Sequence, residues 1–224
     1  MIAHRLTLLR HGESQWNLEN KFTGWTDVDL TKKGIKEAKL AAKLLIKEGI
    51  TFDLVYTSVL KRSIRTMEIC LKEMGLSNIP KISDWRLNER HYGSLQGLNK
   101  SETAKKYGND KVLIWRRSFE TAPPSLNLND KRHPKFDELY KKNDPLQLPN
   151  SESLKETIQR FMPLWYNNIK VDILSRKKVL IVAHGNSLRS IVKYLDKMSN
   201  MEIINFNIPT GVPLVYDLNK QLDP

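Results

Sequence analysis

Two stretches far apart in the chain are built alike. LTLLRHGES (residues 6–14) and VLIVAHGNS (residues 179–187) each carry a short apolar run into His-Gly, one polar residue and a serine. Runs this short and this continuously apolar suit strands buried on both faces, the kind found in parallel sheets with helices on each side. Two strands that end alike in an α/β pattern read as parallel, and ligands of such sheets bind beyond the carboxyl ends of the strands. If the two are neighbours, His11 and His184 face one cavity. Gly12 and Gly185 would let a ligand approach the backbone, while amides at the following helix starts could point N–H groups at an anion.

The rest of the chain alternates strand and helix. Thr31 precedes a helix with Ile35, Ala38, Ala42 and Leu45 on one face, closed by Gly49; DLVYTS (53–58) reads as a strand. Leu60, Ile64, Met67, Leu71 and Met74 stripe a second helix that stops at Gly75. Residues 79–83 make a weaker strand, since Pro80 removes a ladder donor. A long helix starts near Ser153, which stands in capping-box spacing with Glu156, and Pro163 predicts a kink in it. After VLIVAHG a helix opens near Ser187, and residues 203–207 and 212–218 read as closing strands. Residues 93–150 depart from this rhythm, with short helices over 99–107 and 110–118 and then a polar, proline-containing stretch; they read as an insertion forming part of a lid. The expectation is one α/β domain over residues 1–224, with a mostly parallel central sheet flanked by helices.

Composition narrows the function. No apolar run approaches the roughly 18 residues needed to cross a bilayer, and His4, Arg5, Arg10 and His11 interrupt any signal-peptide core, so a cytoplasmic protein with no membrane association is expected. Cys70, the only cysteine, falls on the apolar stripe of a helix and reads as a core thiol. The net charge of +12 invites a nucleic-acid reading, but its distribution favours another. Lys36, Lys39, Lys43 and Lys47 fall on a helix face, where a solvated surface explains them. Arg10, Arg62, Arg86, Arg90, Arg116 and Arg117 instead sit at strand ends or in loops, and guanidinium forks there suit a small polyanion.

A histidine pair flanked by arginines suits phosphoryl transfer. A neutral imidazole is a competent nucleophile toward phosphorus; fixed cations keep it unprotonated and stabilise the group it attacks. Glu89 in RLNERHYG offers a proton carrier, with a salt bridge to Arg86 or Arg90 as the alternative role. Metal coordination by His11, His184 and His91 lacks an HExxH spacing or a Cys/His cluster and is set aside. The five tryptophans read as packing residues, His4 and His133 as surface residues, and Glu13 as a helix-start carboxylate.

RHGESQWN, FTGWTDVDLTKKG, YTSVLKRSIRT, WRLNERHYGSLQG, WRRSF, AHGNSLR and NIPTGVPLVY together resemble the cofactor-dependent phosphoglycerate mutases of the histidine phosphatase superfamily, over nearly the whole chain. The resemblance implies that His11 is phosphorylated by 2,3-bisphosphoglycerate and that the phosphoenzyme interconverts 3-phosphoglycerate and 2-phosphoglycerate in glycolysis and gluconeogenesis, without a metal. It implies Arg10, Arg62 and His184 around the transferring group, with Asn17 and Gly185 nearby, and Glu89 moving the proton. Thr23, Gly24, Tyr92, Lys100, Arg116, Arg117 and Asn186 would position the substrate. Ser14 fits the monophosphoglycerate mutase type. Relatives form homodimers or homotetramers, and many carry a longer lysine-containing tail than NKQLDP, which leaves the balance of transfer and hydrolysis open. A phosphatase using the same phosphohistidine and a basic RNA-binding protein are the competing readings.

Overall fold

In a computed structural model describing residues 3–224, the chain runs β1 (His4–Arg10), α1 (Gln15–Leu18), α2 (Lys32–Lys47), β2 (Leu54–Thr57), α3 (Lys61–Glu73), β3 (Lys81–Ser83), α4 (Lys100–Tyr107), α5 (Asn109–Arg117), α6 (Leu154–Leu164), α7 (Lys170–Leu174), β4 (Val179–Ala183), α8 (Gly185–Leu195), α9 (Glu202–Asn205) and β5 (Pro213–Leu218). The strands form one sheet in the order β3-β2-β4-β1-β5, parallel except for β5. Period-two alternation sorts the side chains between two layers. Leu6, Leu8, Tyr56, Val179 and Ile181 pack with Phe161, Trp165, Leu188 and Ile191 on one face. Leu9, Val55, Leu180 and Val182 pack with Ala41, Leu45, Met67 and Cys70 on the other. Helices therefore cover both faces, as the apolar strands require.

The duplicated stretches are direct neighbours. β1 and β4 pair in register, Leu6 with Val179 through Arg10 with Ala183, and the His11 N–H continues the ladder to the Ala183 carbonyl at 3.0 Å. From β1 the chain crosses toward β2, whereas from β4 it passes to β5 on the opposite side of β1. A crevice opens where the two paths part.

Local chemistry sets the helix ends. Thr31 caps α2, its hydroxyl accepting the Gly34 N–H at 3.0 Å. The capping box at α6 is complete: Ser153 N–H donates to Glu156 Oε2 (2.6 Å) and Glu156 N–H to Ser153 Oγ (3.3 Å). Pro163 lies in α6 without ending the helix. A π turn over Trp165–Ile169 follows directly and links α6 to α7, so the predicted kink takes the form of a local change of pitch.

Three expectations are corrected. Residues 203–207 are not a strand, because α9 occupies Glu202–Asn205; a short apolar run fits either periodicity. His133 is 2% exposed, its Nδ1 accepting the Lys135 N–H, and His4 is half-buried in β1.

Gly12 also has a different reason from the one expected. A Cβ there would stand 2.2 Å from the Gly34 carbonyl oxygen, and a Cβ on Gly34 would stand 2.1 Å from the Glu13 carbonyl oxygen. The loop after β1 and the first turn of α2 thus interlock through two missing side chains, fixing the segment that carries His11. Gly34→Ala is expected to lower stability by about 2 kcal/mol through overpacking. Urea unfolding midpoints of the two proteins check the effect; an unchanged midpoint would show that the two turns part freely.

Candidate active site

β1 and β4 deliver His11 and His184 to one place, with ring centroids 4.9 Å apart. Both side chains are buried. His11 Nδ1 lies 2.7 Å from the Gly12 carbonyl, which can only accept, so the proton sits on Nδ1 and Nε2 keeps its lone pair. Burial pushes His11 well below the ordinary imidazole range, with Arg62 and then Arg10 adding to the effect. Burial, Arg62, His11 and Arg10 do the same to His184. The Ser58 hydroxyl pairs with His184 Nε2 at 2.7 Å and accepts the Leu60 N–H at 3.2 Å.

The cations are held by backbone oxygens rather than carboxylates. Arg62, 1% exposed, donates to the carbonyls of Gly24 (2.8 Å) and Thr26 (2.9 Å), and burial lowers it to about 10. Gly24 has φ +53° and packs on Gln96, which holds this carbonyl turn in place. Arg10 Nη1 donates to the Ile208 carbonyl at 2.6 Å, while its buried Nε has no partner. Gly185 leaves room for that guanidinium, since a Cβ there would touch Arg10 Nε at 3.5 Å. An arginine without a counter-ion in such a place favours a bound anion.

The two asparagines are oriented. Asn17 Oδ1 accepts the Ser14 N–H (3.1 Å) and O–H (2.9 Å), which leaves its amide NH₂ to donate elsewhere. Asn186 Oδ1 accepts from Arg189 Nη1 (2.8 Å), and its Nδ2 reaches the Tyr92 hydroxyl at 3.3 Å. Glu89, 9% exposed, has one oxygen tied down: Oε1 accepts the N–H groups of Arg90 (2.8 Å) and Asn186 (3.0 Å). Its Oε2 lies beside Gly185. No ion pair joins Glu89 to Arg86 among the described residues; Arg86 is bonded to Asp84 instead.

Most of these groups surround a cavity of about 110 Å³, small beside the several hundred Å³ that drug-sized ligands occupy. Arg10, His11, Asn17, Thr23, Gly24, Arg62, Glu89, Tyr92, Lys100, Gly185 and Asn186 line it. His184 lies behind His11 and outside the lining. Arg116 and Arg117, consecutive on α5, both reach the cavity because the last turn of that helix is aimed at it. Of the insertion over 93–150, α4 and α5 therefore contribute Lys100, Arg116 and Arg117. His91 is not a lining residue; its Nδ1 accepts the Gly93 N–H.

Sequence reasoning missed several groups. Arg189, Lys21 and Asn207 line the cavity, and Ser58 partners His184. Arg189 had a readable signal, standing three residues after Asn186 at a helix start. Arg160 and Glu152 had none. They form an ion pair with side chains 5% and 3% exposed, and Arg160 also donates to the carbonyls of Trp85, Arg86, Asn88 and Glu89.

An α/β sheet ends two adjacent parallel strands in buried histidines, one of which lines a cation-rich cavity suited to an anion while the other packs against it. The chain belongs to the histidine phosphatase superfamily (branch 1), which it matches over residues 6–129. Its fold is shared with several solved structures, two of them described as phosphatases. Mycobacterial glucosyl-3-phosphoglycerate phosphatase is 22% identical with a TM-score of 0.72, over 95% of this chain and 89% of the other. A putative α-ribazole-5'-P phosphatase from Escherichia coli K-12 is 22% identical at 0.72, over 98% and 93%. YhfR from Bacillus stearothermophilus is 25% identical at 0.70, over 97% and 92%.

The buried imidazoles make stability depend on pH. His11 and His184 sit well below 6.5 and His91 is lowered to about 3, chiefly by burial. As pH falls through 6.5 the unfolded chain takes up a proton at each, while the folded chain does not. Stability is therefore lost below the unfolded value, by about 1.4 kcal/mol per pH unit per histidine and about 4 kcal/mol per unit for the three together. Urea midpoints at pH 7, 6 and 5 are expected to fall steeply over the lower interval; a flat profile would mean these groups charge in place.

Proposed function

We propose that the protein is a phosphohistidine enzyme that interconverts 3-phosphoglycerate and 2-phosphoglycerate, primed by 2,3-bisphosphoglycerate. One observation carries the reading: the cavity lining holds more cations than one phosphate needs. Besides Arg10 and Arg62, which act on His11, it carries Lys21, Lys100, Arg116, Arg117 and Arg189. Hydrolysis of a simple phosphomonoester needs the pair beside His11 alone. A short substrate that adds a carboxylate or second phosphate engages the others as well.

In this reading His11 Nε2 attacks phosphorus, forming an N–P bond as the ester P–O bond breaks, while Arg10 and Arg62 take up the charge on the phosphoryl oxygens. Glu89 Oε2 gives its proton to the leaving oxygen and recovers one from the hydroxyl that next attacks the phosphohistidine. Orphaned guanidinium nitrogens at Arg10 and Arg189 fit a multiply charged ligand. Phosphoglycerates are the expected partners, in the cytoplasm.

The second reading is a phosphatase, in which water takes the place of the acceptor hydroxyl. The similarity in fold to solved phosphatases favours it. Incubation with 3-phosphoglycerate, with and without traces of 2,3-bisphosphoglycerate, separates the two. The expected result is primer-dependent formation of 2-phosphoglycerate in excess of phosphate release. Release in excess of isomerisation assigns the chain to the phosphatases.

A further inference from the structure

Arg189 is a buried guanidinium, 3% exposed, for which the described residues supply no carboxylate partner. A buried charge is normally paired. Its Nη1 donates to Asn186 Oδ1 at 2.8 Å, its Nη2 bonds the Ile203 carbonyl, and its Nε has no partner. It also lines the cavity, and it stands on α8 one turn after Asn186, where side chains three apart meet.

The consequence falls on Asn186. An amide side chain can turn either end toward a ligand, and a guanidinium offers donors only. With Arg189 holding Oδ1, the NH₂ group is the end left facing Tyr92 and the cavity. The Asn186 N–H is separately fixed by Glu89 Oε1, so the residue is held at both backbone and side chain. Arg189 is itself anchored to α9 through Ile203.

We propose that Arg189 is a positioning residue that locks the Asn186 amide with its NH₂ inward, and so selects ligands carrying a second anionic group beyond the phosphate bound at His11. The inference rests on the surplus of cations that the proposed function reads in the lining, but not on isomerisation taking place. A ligand with a carboxylate or second phosphate meets the amide donors and the unpaired guanidinium field. Inorganic phosphate engages the pair beside His11 only.

The test compares 3-phosphoglycerate and inorganic phosphate as competitive inhibitors of p-nitrophenyl phosphate hydrolysis. In the wild-type protein 3-phosphoglycerate is expected to inhibit more tightly, and Arg189→Met to reduce that preference by about tenfold, as does Asn186→Ala. The double variant is expected to be no worse than either single one, since one residue acts through the other. Arg189→Lys keeps the charge but not the fork and is expected to fall between; it serves where the methionine variant does not fold. Absence of a wild-type preference, an unchanged preference in both Arg189 variants, or multiplying effects in the double variant would each overturn the inference. Loss of isomerisation with the preference intact would instead count against the proposed function alone.

Discussion

His11→Ala is expected to remove phosphoryl transfer, with turnover falling by about 10⁴-fold or more, or over 5 kcal/mol of barrier. The imidazole is the nucleophile of the proposed reaction, and the neighbouring His184 cannot replace it, because its Nε2 is engaged by Ser58 and it lies outside the cavity lining. Treatment with a labelled phosphoryl donor should leave an acid-labile, base-stable adduct on the wild-type protein and none on the variant. The same substitution removes one buried neutral histidine. The acid dependence of stability should therefore lose about 1.4 kcal/mol per pH unit of its slope, so chemistry and linkage can be read from one protein. Persistent turnover, or an adduct at another position, would transfer the nucleophile's role elsewhere.

The second large effect lies outside the cavity. Arg160 pairs with Glu152 through Nε (2.6 Å) and Nη2 (3.0 Å), packs against the rings of Trp25 and Trp85, and donates to four carbonyls between Trp85 and Glu89. Glu152 in turn accepts the His91 N–H at 2.8 Å, and Trp25 Nε1 donates to the Glu89 carbonyl at 2.6 Å. The backbone that presents Glu89 is thus clamped from below. Arg160→Met strands a carboxylate in the interior and leaves carbonyls without donors, for an expected loss of about 3–5 kcal/mol. Replacing both members of the pair should cost less than the sum of the single changes. A loss under about 1 kcal/mol by urea unfolding would mean that the clamp is dispensable. In whatever fraction stays folded, the rate should fall as well, since Glu89 loses its fixed address.

These two sites differ in how far they could be read from the chain. His11 stands out because a buried strand and the residues at its end are local features, and the same feature recurs 173 residues on, as the interval from His11 to His184 shows. The helix starts at Thr31 and Ser153 are legible for the same reason: a cap and the amide it satisfies are three residues apart. Residues 203–207 read equally as a strand because a short apolar run does not distinguish one turn of helix from a strand. His133 reads as a surface residue because nothing adjacent to it in the chain announces the contacts that bury it.

The sequence by itself determined the alternation of strands and helices, the two His-Gly strand ends and the types of side chain available for phosphate. Only the tertiary structure decided that β1 and β4 are neighbours, that Gly12 is small to admit Gly34, and that Arg160, Arg189 and Ser58 support the site. The physical reason is range. Periodicity, capping and turn chemistry act over a few residues, whereas an unpaired guanidinium or a buried ion pair takes its meaning from partners that folding alone brings near.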